Sequence, residues 1–245
     1  MHREEAASYE ERVTSKAAAQ LLPRLFDAER AVRRAHAELV ELSEDDGDAV
    51  AQDLVAAIDE AMALDDSDEM ALRLVRVADV LAELEGPRVV DALIAILGCD
   101  EPEPRHAAGE ALEGLAFDRF KEVALGVERA LSTLAPGNPA LAELPFILAE
   151  IPEPGVVKLL GKFLKHGDPE AVAAAIEALV EVGDPAGATL LDVLAKDTRQ
   201  VQLDDEGGDD ARVTLGELAT EARAFLAEVG KGRGSGAPPG AKRGS

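Results

Sequence analysis

One apolar pattern returns four times in this sequence, and its period restricts the fold more than any other feature. Second helices would open at Pro87, Asp118, Pro154 and Pro185, which stand 31, 36 and 31 residues apart. Three residues before each come Leu84, Leu115, Ile151 and Val182, and six before each a leucine: Leu81, Leu112, Leu148 and Leu179. Ten before stand Val77, Ala108, Leu144 and Ala175, and thirteen before stand Leu74, Arg105, Leu141 and Val172. Downstream, Val90, Val157 and Ala188 are followed by Leu93, Leu160 and Leu191. Steps of three and four place these residues on one face of an α-helix. A repeat this short cannot bury such a face alone, so copies must stack to make a continuous core.

The stretch Asp168–Ala195 shows how each repeat is punctuated. Asp168 is a good N-cap, and Pro169 suits the first helical turn, where its missing N–H costs nothing. Val172, Ala175, Ile176, Leu179 and Val182 form the apolar stripe. Gly183 is free to take the left-handed conformation that ends a helix, and Asp184-Pro185 starts the next one. The same layout predicts helical pairs over Ser67–Leu84 with Pro87–Leu97, Pro104–Ala116 with Asp118–Leu134, and Pro139–Ile151 with Pro154–Leu164. Pro145 falls inside one of these helices, where it should kink or split it.

On Asp168-Pro169…Val172…Gly183-Asp184-Pro185 and Pro104-Arg105-His106-Ala107-Ala108…Ala111-Leu112…Leu115, the chain resembles HEAT-like repeat proteins of the short-repeat, armadillo-like kind. The resemblance runs from Ser67 to Gly230 and, more loosely, into the helices before it. It implies an all-α fold, a right-handed α-α superhelix whose second helices line the concave face. It also implies a protein-binding scaffold rather than an enzyme. Arg105 fits the arginine column of that family, but Leu74, Leu141 and Val172 stand at the matching positions, so no inter-repeat arginine ladder is expected.

Residues 1–66 are expected to cap the array as a diverged repeat with an extra helix. Residues 3–22 carry Tyr9, Val13, Ala17 and Leu21 on one helical face. Pro23 opens a second helix with Leu25, Ala28, Val32, Ala35, Leu39 and Leu42 facing inward. The loop Ser43–Asp48 precedes a third, marked by Val50, Leu54, Ala57, Ile58 and Ala61. The array then covers 67–230, interrupted by an insertion over 197–215. There Gln200–Leu203 and Arg212–Leu215 alternate with period two around an acidic tip, the pattern of a short β-hairpin. Thr214 and Glu217 have capping-box spacing and open a last helix to Val229. Residues 231–245, rich in Gly, Pro and basic side chains, cannot bury a core and are expected to be a disordered tail.

Charge and composition narrow the function. The formal net charge is −24. Residues 1–66 carry 17 acidic and seven basic side chains, and 166–229 carry 15 and four. Such a field repels nucleic acid and anionic membranes, so neither is expected as a partner. The same acidity suits solubility, a salt-rich environment or mimicry of nucleic-acid charge. The single cysteine, Cys99, excludes an intramolecular disulfide. No apolar run reaches the ~18 residues of a membrane helix and the N-terminus has no signal-type apolar core, so a cytoplasmic monomer is expected.

No catalytic constellation stands out. His2, His36, His106 and His166 lack metal-ligand spacing, and Cys99 has no CxxC partner. No phosphate loop or GxSxG motif occurs. Among enzymes resembling this fold, the HEAT-like hydroxylases carry His-Glu pairs that are missing here, and the DNA glycosylases need a cationic, aromatic-lined groove. No cofactor or metal is therefore expected. Asp204, Asp205, Glu206, Asp209 and Asp210 depart from EF-hand spacing and are taken as an acidic hairpin tip and candidate partner contact. The other candidate is a basic strip in an otherwise acidic chain: Arg119, Lys121 and Arg129 on one second helix, with Lys158, Lys162 and Lys165 on the next. The expected function is a non-catalytic adaptor for another protein. The alternatives are an acidic inhibitor or immunity-type protein, and an accessory of bilin-lyase type.

Overall fold

The computed structural model describes residues 2–203 and 211–234, with side chains over 17–202 and 212–231. The chain forms two compact units, Met1–Val50 and Ala51–Ser245.

In the first unit the chain is helical almost throughout, as part of α1 (His2–Met62). The break expected at Pro23 does not occur: the helix continues through it. A proline removes one hydrogen bond of the ladder, and the helix keeps its course with that bond missing. The loop expected over Ser43–Asp48 shrinks to one residue, Asp46, at φ −149° and ψ 75°. Its carboxylate accepts from the Ala49 N–H at 3.1 Å, so Asp46 acts as an N-cap for the helix that follows. The face expected to point inward is exposed. Leu25 is 62%, Val32 42% and Leu42 57% accessible, and Leu21, Leu22 and Phe26 are likewise exposed.

The second unit begins with the last turns of α1, where Ala51, Leu54, Ile58 and Ala61 are buried. Helices α2 (Ser67–Leu81) and α3 (Pro87–Leu97) form the first repeat. The second is α4 (Pro102–Thr133), two helical arms that meet at Arg119, whose φ −136° and ψ 48° leave the helical region. A turn was expected before Asp118. With neither glycine nor proline between Gly114 and Gly126, no loop separates the two arms, and one residue absorbs the change of direction.

The third repeat pairs α5 (Pro139–Ala149) with α6 (Val156–Phe163). Pro145 does not split α5; it is buried inside an eleven-residue helix. In the fourth, α7 (Pro169–Val182) is followed by α8 (Gly187–Leu190) and a 3₁₀ turn over Leu191–Leu194. Strands β1 (Gln200–Leu203) and β2 (Ala211–Thr214) pair antiparallel, with Val201 opposite Val213, and lead into α9 (Leu215–Gly234). Helix α9 extends five residues past the expected end at Val229. The remaining expected tail, 235–245, lies outside the described residues.

The elements form two rows. First helices meet in the order α2, α4, α5, α7 and α9; second helices follow as α3, α4, α6 and α8. The recurrent leucines are the core: Leu81, Leu112 and Leu148 are 0% exposed and Leu179 is 1%. Gly126 sits so close to α3 that a Cβ there would come within 2.3 Å of Val90. That contact lets the second arm of α4 press against α3 at backbone distance.

The punctuation of the fourth repeat follows the sequence. Asp168 is the N-cap of α7 and accepts from the Glu170 and Ala171 N–H groups at 2.9 and 3.4 Å. Its second oxygen accepts from the Gly137 N–H at 2.6 Å, one repeat back. Gly183 is left-handed, at φ 63° and ψ 23°. The capping box is present: Glu217 N–H donates to Thr214 Oγ1 at 3.2 Å, and Thr214 N–H donates to the Glu217 carboxylate at 2.9 Å. In the hairpin Val201 is buried, as is Leu215 beyond it, which matches the apolar side expected of the alternation.

Candidate interaction surface

Opposite charges one repeat apart organise the second-helix row. At the bend in α4, Arg119 Nη2 donates to the Leu84 carbonyl at 2.9 Å, while Nη1 lies 4.0 Å from Glu85 and 3.7 Å from Glu122. Glu122 in turn accepts from the Gly86 N–H at 2.9 Å. Two residues of the bend thus clasp the turn between α2 and α3. Arg119 Nη1 is buried without a hydrogen-bond partner of its own, held only by these longer charge contacts.

Further along, Arg129 meets Asp91 of α3 through Nε at 3.0 Å and Nη2 at 2.8 Å, and also donates to the Pro87 carbonyl at 3.2 Å. Lys162 of α6 pairs with Glu128 of α4. On the first-helix row, Arg105 pairs with Glu143 of α5, so the one arginine in the expected column does bridge two repeats.

The proposed basic strip therefore divides. Arg119, Arg129 and Lys162 are neutralised by carboxylates of neighbouring elements. Lys121, Lys158 and Lys165 are exposed and have no ion-pair partner among the described residues. Lys158 and Lys165 lie one turn on either side of Lys162, and Lys121 lies one turn before the exposed Leu125. The acidic group Asp204, Asp205, Glu206, Asp209 and Asp210 lies outside the described residues. The carboxylates that occupy half the strip are Glu85, Asp91, Glu122 and Glu128. Glu85, Asp91 and Glu128 stand roughly one repeat before the base each meets, and Glu122 lies one turn after Arg119.

Elsewhere the chemistry is structural. Burial pushes the Cys99 thiol up in pKa, and the thiol donates to the Glu101 carbonyl at 3.4 Å. His106 is exposed 3.5 Å from Glu110, and His166 Nδ1 accepts from the Asp168 N–H at 3.2 Å. Burial likewise raises Glu177, aided by Glu170, beside a recess that α7 and α9 line with Ile176, Val180, Leu218 and Phe225. Among the described residues no three His, Cys, Asp or Glu side chains are grouped to hold a metal ion, and no helix is long and apolar enough to cross a membrane.

Paired helices in two rows, joined by capped turns at a period near 31 residues, define an α-helical repeat protein. Residues 140–203 match the family model for HEAT repeats, and the described residues have an all-α, HEAT-like fold with a small β-hairpin near the C-terminus. HEAT repeats generally mediate protein–protein interaction. A crystal structure of an engineered protein, a Northeast Structural Genomics Consortium target, aligns over 81% of this chain and 97% of its own at 18% identity. Its TM-score of 0.32 is too low to bear on the argument. No curated protein matches the sequence.

Proposed function

We propose that this chain is a non-catalytic scaffold that holds another protein against its second-helix row, with Lys121, Lys158 and Lys165 receiving acidic side chains of that partner. The observation that supports this reading is the division of the basic strip. In a chain of net charge −24, three of the strip's six bases are consumed by internal pairing and three stand exposed with no counter-charge among the described residues. An exposed lysine contributes little to folding, but it steers and orients an acidic partner. The exposed Leu125 supplies an apolar contact beside Lys121. The acidic segment 204–210, carried by the hairpin, is a second contact in the same proposal, suited to a basic region of the partner.

The test is affinity capture from native cell extract, with protein identification and stoichiometry, on the wild type and on a variant carrying Lys121→Glu, Lys158→Glu and Lys165→Glu. The wild type retains a stoichiometric protein and the variant loses it, while the melting temperature stays within a few degrees. Equal retention by both proteins removes the lysines from the interface. Turnover of a small molecule by the purified chain, with no protein partner retained, overturns the scaffold reading itself.

A further inference from the structure

The helix of the first unit carries an apolar stripe that no described residue of that unit covers. Its members are Ala18, Leu21, Leu25, Ala28, Val32, Ala35, Leu39 and Leu42, separated by 3, 4, 3, 4, 3, 4 and 3 residues. That is the a/d spacing of a coiled coil, sustained from Ala18 to Leu42, with Ala18, Leu25, Val32 and Leu39 at a and Leu21, Ala28, Ala35 and Leu42 at d. Seven of the eight are exposed and Leu39 is half-buried. Leu22, 47% exposed, widens the stripe at an e position. Away from the stripe, charged residues pair within the helix, as in Asp27 with Arg30, and Glu29 at the flanking e position pairs with Arg33. Most of a helix's stability in a protein comes from packing its apolar face, so this one is built for a partner helix.

We infer that the partner is a second copy of this chain, and that the two helices pair antiparallel as a two-stranded coiled coil over residues 18–42. Three features favour self-pairing in that direction. First, with Ala18 set opposite Leu42 of the other copy, every layer is filled: Leu25 faces Ala35, Val32 faces Ala28, and Leu39 faces Leu21. Large residues meet small ones in three of the four layer types, which is how a core interdigitates without voids. A parallel pair would instead stack Ala28 on Ala28 and Ala35 on Ala35, leaving thin layers on both sides of Val32.

Second, antiparallel helices bring g positions opposite g positions, and here Arg24 falls opposite Glu38 of the other copy. The two-fold axis repeats that attraction at both ends, as an isologous interface requires. Third, the one like-charge meeting, Glu29 with its own copy near the axis, is relieved by Arg33, which holds each Glu29 at 2.7 Å. On this proposal the chain is a dimer rather than the expected monomer. The inference is independent of the lysine surface, which lies in the other unit.

Sedimentation or light scattering on the full-length protein tests the pairing, and disulfide trapping tests its direction. The wild type should have the mass of two chains. Leu25→Glu with Val32→Glu should halve that mass while the array keeps its helical signal and thermal transition, which separates loss of pairing from loss of folding. For direction, Leu21→Cys and Leu39→Cys proteins are mixed and oxidised, each on a Cys99→Ala background. Antiparallel pairing yields the mixed Leu21→Cys–Leu39→Cys product, whereas Leu21→Cys linked to itself indicates a parallel pair and overturns the orientation. A single-chain mass for the wild type overturns the proposal, including the case in which the stripe binds a helix of a different protein. So does a dimer that survives the double glutamate variant.

Discussion

Leu25 and Leu112 are the same residue type on the same kind of helical stripe, yet Leu25 is 62% exposed and Leu112 is 0% exposed. The difference lies in what surrounds the stripe. Around Leu112, α4 is packed against α2, α3 and α5, so its apolar face is enclosed by neighbouring repeats. The first unit is a lone helix with no second row. Periodicity identifies the face that will be buried in both regions, but only the number of neighbours within one chain decides whether that chain can bury it.

The widest separation between the two regions should come from truncating one apolar side chain in each. Phe163, fully enclosed in α6, should lose about 3–5 kcal/mol on replacement by Ala. Leu25→Ala, in dilute protein, should move the array's unfolding by no more than about 0.5 kcal/mol. Denaturant midpoints measure both, and comparable losses would place the first helix inside the array's core.

Next come the caps. Asp168 is 4% exposed and accepts three backbone N–H groups from two repeats. Its replacement by Ala removes the acceptor from all three, the buried Ala171 N–H among them, and should cost about 1–3 kcal/mol. The exposed cap at Asp46 satisfies one N–H and should cost nearer the lower end of the usual range, ~0.5 kcal/mol. Equal losses at the two sites would show that burial does not govern the caps.

How much was legible in the sequence depends on the range of the interaction. The leucine columns, the Asp168 cap, the left-handed Gly183, the hairpin and the Thr214/Glu217 box all rest on neighbours within about one helical turn or one strand pair, and each is in place. A helix start is expected at Pro23, yet the helix continues through it with one hydrogen bond of the ladder missing. A change of direction is expected before Asp118 and occurs at Arg119, one residue past it; with no breaker beside it, the sequence does not show that a single residue makes the turn. The internal pairing within the basic strip is not legible locally: Arg129 and Asp91 are 38 residues apart, and no local rule joins them.

Backbone conformation gives a smaller effect. Gly183→Ala forces a side chain into the left-handed region and should cost about 1–2 kcal/mol, read as a lower melting temperature. The array's helix end depends on that glycine, whereas the first helix has no left-handed residue among those described, so an equivalent glycine effect at Gly47 is not expected. A loss at Gly47→Ala matching that at Gly183→Ala would contradict this contrast.

The smallest effect is electrostatic. The side-chain hydrogen bond from Arg199 holds the Asp197 carboxyl below its ordinary value, and Arg199 also donates to the His166 carbonyl at 2.8 Å. A depressed folded-state pKa contributes stability above the ordinary carboxylate range and loses it as pH falls through the lowered value. Arg199→Ala should therefore flatten the array's loss of stability in acid, a change visible as a weaker dependence of the denaturant midpoint on pH. Identical acid profiles for the variant and the wild type would count against that pair.

The continuity of α4 has a mechanical consequence. In the other repeats the two rows are joined by loops, and a loop lets one helix fray while its mate stays docked. Between Pro102 and Thr133 two helical arms meet at one non-helical residue, Arg119, with no loop between them, and Arg119 and Glu122 clasp the joint to the turn of the preceding repeat. Strain applied to the first row at that point passes directly to the second, so this repeat yields as a unit. It forms a rigid splint in the middle of an otherwise jointed stack.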